Sequence, residues 1–137
     1  MAHDSSKLSQ PKDYKLIVEK DVKIPLRDGT VIYADVFRPD GGSERFPVIM
    51  TMGPYMKDRL WIPPEDLEEP ANEFMNWETI NPLWWCPRGY AALRVDSRGS
   101  GKSPGKSEPS SYQEAVDCYD CIEWVAKQAW CSGNVGT

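Results

Sequence analysis

The chain has 137 residues, 40% of them hydrophobic and 27% charged, with a net charge of −5. That length supports one small domain with a real core, and the balance is ordinary for a globular protein. The negative charge excludes a surface that tracks nucleic-acid phosphates, and no apolar run reaches the roughly 18 residues of a membrane span.

Residues 1–13, "MAHDSSKLSQPKD", lack the apolar core of a secretory signal and read as a disordered, solvated tail. The remainder, 14–137, reads as one folded portion. Its first part, "YKLIVEKDVKIPLRDGTVIYADVFRPDGG", predicts two strands joined at Arg27-Asp28-Gly29, because Asp-Gly between β-rich runs is a hairpin signal. The second strand, Thr30 to Phe37, should stop at the turn chemistry of Arg38 to Gly42. Phe46 to Met52, "FPVIMTM", lacks polar alternation and suits a strand buried on both faces, and "YAALRV", Tyr90 to Val95, is a second such strand.

Between these strands lies a segment rich in proline, with four tryptophans and an acidic patch from Glu65 to Glu73. A helix is expected within Pro70 to Ile80. The patch reads as solvated surface, and the tryptophans as packing against the domain, with a substrate-lining role for some of them as the alternative.

The clearest helix is predicted from Ser111 to Trp130, opened by a capping box of Ser111 and Glu114. Tyr112, Ala115, Val116, Tyr119, Ile122, Val125, Ala126 and Ala129 form the expected buried stripe. Gln113, Asp117, Asp120, Lys127 and Gln128 should lie opposite, and Trp124 projects from that polar face as a candidate contact surface. Ser132-Gly133 signals the stop, and "NVGT" begins a further strand. Strand, helix and strand in this order argue for a crossover and a largely parallel sheet, with the antiparallel hairpin at its edge.

Two motifs invite chemistry. Gly101-Lys102-Ser103 resembles the end of a phosphate loop, G-x-x-x-x-G-K-[ST]. The first glycine of that pattern should then stand at position 96, which is Asp96. Downstream, "PGKSEPSS" cannot continue as the required helix. The nucleotide reading therefore fails, and the stretch is a glycine-rich turn leaving the carboxyl end of a strand, with Asp96 and Arg98 bracing it. That end of an open α/β sheet is where ligands bind.

The second motif is Cys118-x-x-Cys121. A zinc site wants four ligands, and the only histidine, His3, lies in the tail. Cys86 and Cys131 could complete a four-thiolate set, but neither belongs to a second close pair. The cysteines read as free, partly buried thiols, with no metal or organic cofactor. Free thiols fit a reducing compartment and a cytoplasmic location.

Four segments taken in order carry a resemblance: "IPLRDGTVIYADVFRPDG", "FPVIMTMGPYMKD", "RGYAALRVDSRGSGKSPG" and "YQEAVDCYDCIEWVAKQAWCSGNVGT". Together, from about Lys23 to Thr137, they resemble the cocaine-esterase-like serine hydrolases, relatives of the Xaa-Pro dipeptidyl-peptidases and glutaryl-acylases. The most specific part is D-x-R-G-x-G-x-S-x-G at Asp96 to Gly105, followed by Tyr119 to Trp124. The resemblance implies an α/β-hydrolase fold and hydrolysis of an ester or amide through an acyl-enzyme, with Ser, His and Asp as the triad. It also implies that Tyr55, in "MGPYMKD", helps to hold the oxyanion, a role a phenol suits chemically.

The same resemblance places the nucleophile elbow just after Asn134 to Thr137. No G-x-S-x-G occurs in these residues, and His3 precedes every strand. The expected fold class is thus an incomplete α/β-hydrolase sheet, mixed then parallel, ending before the nucleophile elbow. Phe46–Met52 and Tyr90–Val95 should be left with an unpaired edge. The 137 residues alone should be marginally stable or prone to aggregate, and inactive; the implied partners are a small ester or amide substrate and the missing carboxy-terminal part. The competing reading is a non-catalytic remnant that binds a protein, or itself, through the open sheet edge and Trp124.

Overall fold

The computed structural model describes residues 8–59, 61–68 and 70–137. His3 and most of the expected tail fall outside them. At Lys12 the chain is already tied down, its N–H donating to the Pro87 carbonyl at 2.7 Å.

Five strands form one mixed sheet in the order β1-β2-β4-β3-β5. Strands β1 (Leu16–Pro25) and β2 (Val31–Pro39) make the antiparallel hairpin. Its turn closes where Asp-Gly predicted: Gly29 takes φ 87°, and the Asp28 carboxylate accepts from the Thr30 N–H at 3.0 Å. Strand β4 (Ala91–Asp96) pairs antiparallel with β2 and parallel with β3 (Phe46–Gly53). Strand β5 (Cys131–Gly136) lies parallel to β3 on its other side.

This pairing corrects the expected edge. Both β3 and β4 are flanked on each side, and the outer strands are β1 and β5. The residues "NVGT" belong to a strand that starts earlier, at Cys131, because the preceding helix ends sooner than predicted. Strand β4 is buried along its whole length, whereas β3 alternates between buried and half-buried positions.

The helix α2 spans Tyr112–Ala126, not 111–130. Its carboxyl end is closed by backbone hydrogen bonds at Lys127 and Gln128, and a turn from Cys131 N–H to the Gln128 carbonyl feeds β5. The capping box forms with a shift. The Ser111 hydroxyl accepts from Glu114 N–H at 3.1 Å, while the Glu114 carboxylate reaches Ser110 N–H at 2.6 Å rather than that of Ser111.

The buried face of α2 also differs from the expected stripe. Asp117, Cys121 and Val125 are buried, while Tyr112, Ala115 and Tyr119 are exposed. Asp117 has a half-buried partner there: Arg98 Nε and Nη2 grip both Asp117 oxygens at 2.8 and 2.9 Å, which compensates the carboxylate on the inward side of the helix. Trp124 packs, half-buried, against the core instead of projecting freely.

The sheet has two apolar faces. Ile24, Ile32, Val36, Met50, Leu93 and Val95 pack against Cys121 and Val125 of α2. On the other face Phe37 and Ala92 meet Cys86, Phe74 and Ile80. That second face is covered by the proline-rich connection, where the helix expected within Pro70–Ile80 is absent. Asn72 and Asn76 side chains accept from the N–H groups of Phe74 and Trp77, giving local turns that compete with a helix. The helical segment comes later, as α1 (Pro82–Trp85) capped by Asn81, then a 3-10 turn over Cys86–Arg88. The tryptophans pack in edge-on aromatic pairs, Trp61 with Trp77 and Trp84 with Trp85. Among the described residues no helix is long and apolar enough to cross a membrane.

Candidate functional site at the carboxyl end of β3 and β4

The loop after β4 is built around Asp96, whose side chain is buried. One Asp96 oxygen accepts from Lys57 N–H at 2.7 Å and the other from Lys102 N–H at 3.3 Å. Ser103 closes the loop: its hydroxyl donates to the Asp96 carbonyl at 2.7 Å and accepts from Tyr33 N–H at 3.0 Å. Gly101, at φ 52°, is the residue that permits this, since a Cβ there would lie 2.1 Å from Asp96 Oδ2.

The backbone donors that a phosphate would need are therefore turned onto a carboxylate. The Lys102 ammonium is likewise held by Asp21, with Asp58 at 3.7 Å. Asp96 and Arg98 brace the loop as expected. Beyond Asp117, Arg98 also pairs with Asp28 at 2.8 Å and donates to Thr30 Oγ1, tying the loop to the hairpin turn.

A charge cluster that the sequence did not reveal fixes the neighbouring loop after β3. The Lys57 ammonium is buried and contacts three carboxylates: Asp21 at 2.6 Å, Asp58 at 2.8 Å and Asp35 at 3.0 Å. Lys20 bridges Asp35 and Asp58 from the solvent side. Desolvation pulls the Lys57 ammonium down, but the hydrogen bonds it donates to Asp21, Asp58 and Asp35 outweigh this and raise its pKa. Partial burial pushes the Asp58 carboxyl up, and the hydrogen bonds and charges of Lys20 and Lys57 more than reverse this, holding it at about 2. The one available signal was Asp35, a charge set between Ala34 and Val36 in the buried middle of β2.

Tyr55 lies in the loop that Lys57 anchors, two residues beyond β3. It is 44% exposed, and its hydroxyl has no hydrogen-bond partner among the described residues. It lines a cleft of about 200 Å³ with Thr51, Trp77, Thr79 and Arg94. Arg94 contributes a buried guanidinium on the floor of the same sheet face; its place inside an apolar strand conceals it in the sequence.

The four cysteines are free thiols, spread over the 3-10 turn, α2 and β5. Burial pushes the thiols of Cys86 and Cys121 up to about 12 and that of Cys118 in the same direction, so none of these three is a poised nucleophile.

This framework has counterparts. The chain is 34% identical over 121 residues to the cocaine esterase of Rhodococcus sp. (strain MB1 Bresler), a match covering 87% of this chain and 18% of that protein. A CocE/NonD family hydrolase of Staphylococcus aureus superposes with a TM-score of 0.80 at 38% identity, over 89% of this chain and 23% of that one. An acetyl xylan esterase from Paenibacillus sp. R4 shares the fold alone, with a TM-score of 0.54 and 21% identity over 89% of this chain and 43% of that one. The chain thus spans about a fifth of the length of the first two. The family model described as X-Pro dipeptidyl-peptidase (S15 family) matches residues 28–137, which takes in β2 to β5, Tyr55 and both braced loops. The chain belongs to the X-Pro dipeptidyl-peptidase (S15) family of hydrolases.

Proposed function

We propose that these residues form the oxyanion-side portion of a serine hydrolase that cleaves an ester or amide through an acyl-enzyme. The observation that carries this reading is Tyr55: a partly exposed phenol with a free hydroxyl, in a cleft at the carboxyl end of a parallel strand pair, on a loop that Lys57 ties to Asp96. A donor held before charge develops stabilises the transition state without reorganisation. As the tetrahedral intermediate forms, the Tyr55 O–H would donate to the carbonyl oxygen as it gains negative charge. The Ser, His and Asp that attack and move the proton are not among these residues, since there is no G-x-S-x-G and the one histidine is His3.

Four measurements test the reading. The 137-residue chain alone should turn over no p-nitrophenyl ester. The product that the native source makes from this sequence should be several times heavier than 15.5 kDa and should react with a fluorophosphonate. In that product Tyr55→Phe should lower kcat roughly 10²- to 10³-fold with little change in KM. A native product near 15.5 kDa that resists labelling would remove the hydrolase reading.

The unpaired outer edge of β5 favours one other reading, association through that edge. A discrete dimer in size-exclusion chromatography, dispersed by a proline at Asn134, would support it.

A further inference from the structure

Arg94 is a buried cation with an unused donor. Its side chain stands on the β4 face opposite α2, and the residue is only 4% exposed. Nη2 donates to the Ile80 carbonyl at 2.8 Å, and the guanidinium lies over the Phe37 ring at 4.8 Å. Nε is different: it is buried and has no hydrogen-bond partner among the described residues. Among those residues no carboxylate forms an ion pair with Arg94, whereas Lys57, also buried, has three. Asp35, on the neighbouring strand, acts on Arg94 through its charge without direct contact.

Such a group costs free energy on two counts: a desolvated charge and an orphaned N–H. Arg94 lines the cleft that also contains Tyr55, as well as a neighbouring one lined by Lys20 and Lys57, so an acceptor that reaches the guanidinium from the Tyr55 side would relieve both. A neutral carbonyl would satisfy only the N–H. A carboxylate would satisfy the N–H and the charge together, with the planar fork that guanidinium offers.

We propose that Arg94 is a specificity-determining residue that binds a carboxylate carried by the substrate apart from its scissile ester or amide carbonyl. The proposal rests on the hydrolase reading for the word substrate, but its anion site stands on Arg94 and the cleft alone. Glu78, which lines the same cleft, sets a limit on charge there by repelling an anion.

The test reads binding and not turnover, so its failure is distinct from failure of the hydrolase reading. The Nε–H resonance of Arg94 is assigned by through-bond correlation in the wild-type native product that contains these residues, which avoids reliance on an isolated part or a variant that fails to fold. That product is then titrated at constant ionic strength, before measurable turnover, with monomethyl succinate, dimethyl succinate and acetate. The half-ester should move the Nε–H resonance saturably, with the neutral diester binding roughly tenfold or more weaker. Glu78→Gln should tighten half-ester binding about two- to threefold, as expected when a partly screened like charge is removed. Equal shifts from half-ester and diester, or no shift from either, would overturn the proposal. Acetate saturating as tightly as the half-ester would also overturn it, by marking a general anion site in place of a substrate subsite.

Discussion

Replacing Lys57 by methionine tests whether the buried charge cluster holds the Tyr55 loop. The change keeps most of the side-chain volume and deletes the ammonium. The side chains of Lys57 and Asp35 are each only 1% exposed, so their contact at 3.0 Å is screened little by solvent. Removing one partner of a buried pair costs roughly 3–5 kcal/mol because the other charge is left behind. The lower end applies here. Asp35 keeps the Asp21 N–H at 3.0 Å and the Lys20 ammonium, Asp58 keeps Lys20, and Asp21 keeps Lys102. The expected loss is therefore about 3 kcal/mol, or a fall in Tm of about 12 °C for a chain of this size. Urea unfolding followed by tryptophan fluorescence and far-UV circular dichroism measures it, with an unchanged slope showing that the denatured state is unaltered. Adding Asp35→Asn should restore about half the loss, because the double variant no longer buries a carboxylate that has lost its one buried cation, while the new side-chain amide oxygen still accepts from Asp21 N–H. A Lys57→Met cost under about 1 kcal/mol, or a double variant as unstable as the sum of both singles, would refute the reasoning.

The same cluster sets an acid limit. Asp58 is depressed from 3.8 to about 2, so its contribution is complete above pH 3.8 and lost as pH falls toward 2; Asp21 shifts in the same direction. The raised Lys57, Lys20 and Lys102 keep their full contribution up to pH 10.5 and lose it as pH rises further through their folded pKa. The urea midpoint should thus drop between about pH 4 and 2, and this drop should be smaller in Lys57→Met. Gly101→Ala should cost about 3 kcal/mol, from the left-handed backbone and from expelling the Asp96 carboxylate from its N–H donors. Gly29→Ala, at φ 87° with nothing within 4 Å of its Cβ, should cost clearly less, and equal losses in the two would dismiss the Asp96 contact as the cause. Ser111→Ala removes the α2 cap and should cost about 1 kcal/mol in the same unfolding assay.

Local chemistry made the strands, the Asp-Gly hairpin and the α2 cap readable, because each depends on neighbours a few residues away. Asp28, Gly29, Ser111 and Glu114 act within their own turns. The family was legible too, since the run Asp96 to Gly105 needs its glycines wherever it folds, and Gly101 shows why: the space its Cβ would take is filled by Asp96. The failure of the phosphate-loop reading followed from the same residues.

What the tertiary structure decided are the contacts between residues far apart in sequence. Hydrophobic periodicity assigned Asp117 to the solvent side of α2, and only the approach of Arg98, 19 positions earlier, compensates it on the inward side of the helix. The helix expected within Pro70–Ile80 gave way to turns because that segment lies over the face of Phe37 and Ala92, where Asn72 and Asn76 bind backbone locally. The cluster of Lys20, Lys57 and Lys102 with Asp21, Asp35 and Asp58 draws on β1, β2 and two loops, and no spacing in the chain announces it. Composition and motif determined the family and the strand scaffold; the packing of strands, loops and helix decided which charges meet, because opposite charges are paired only where the fold brings them within reach and shuts out water.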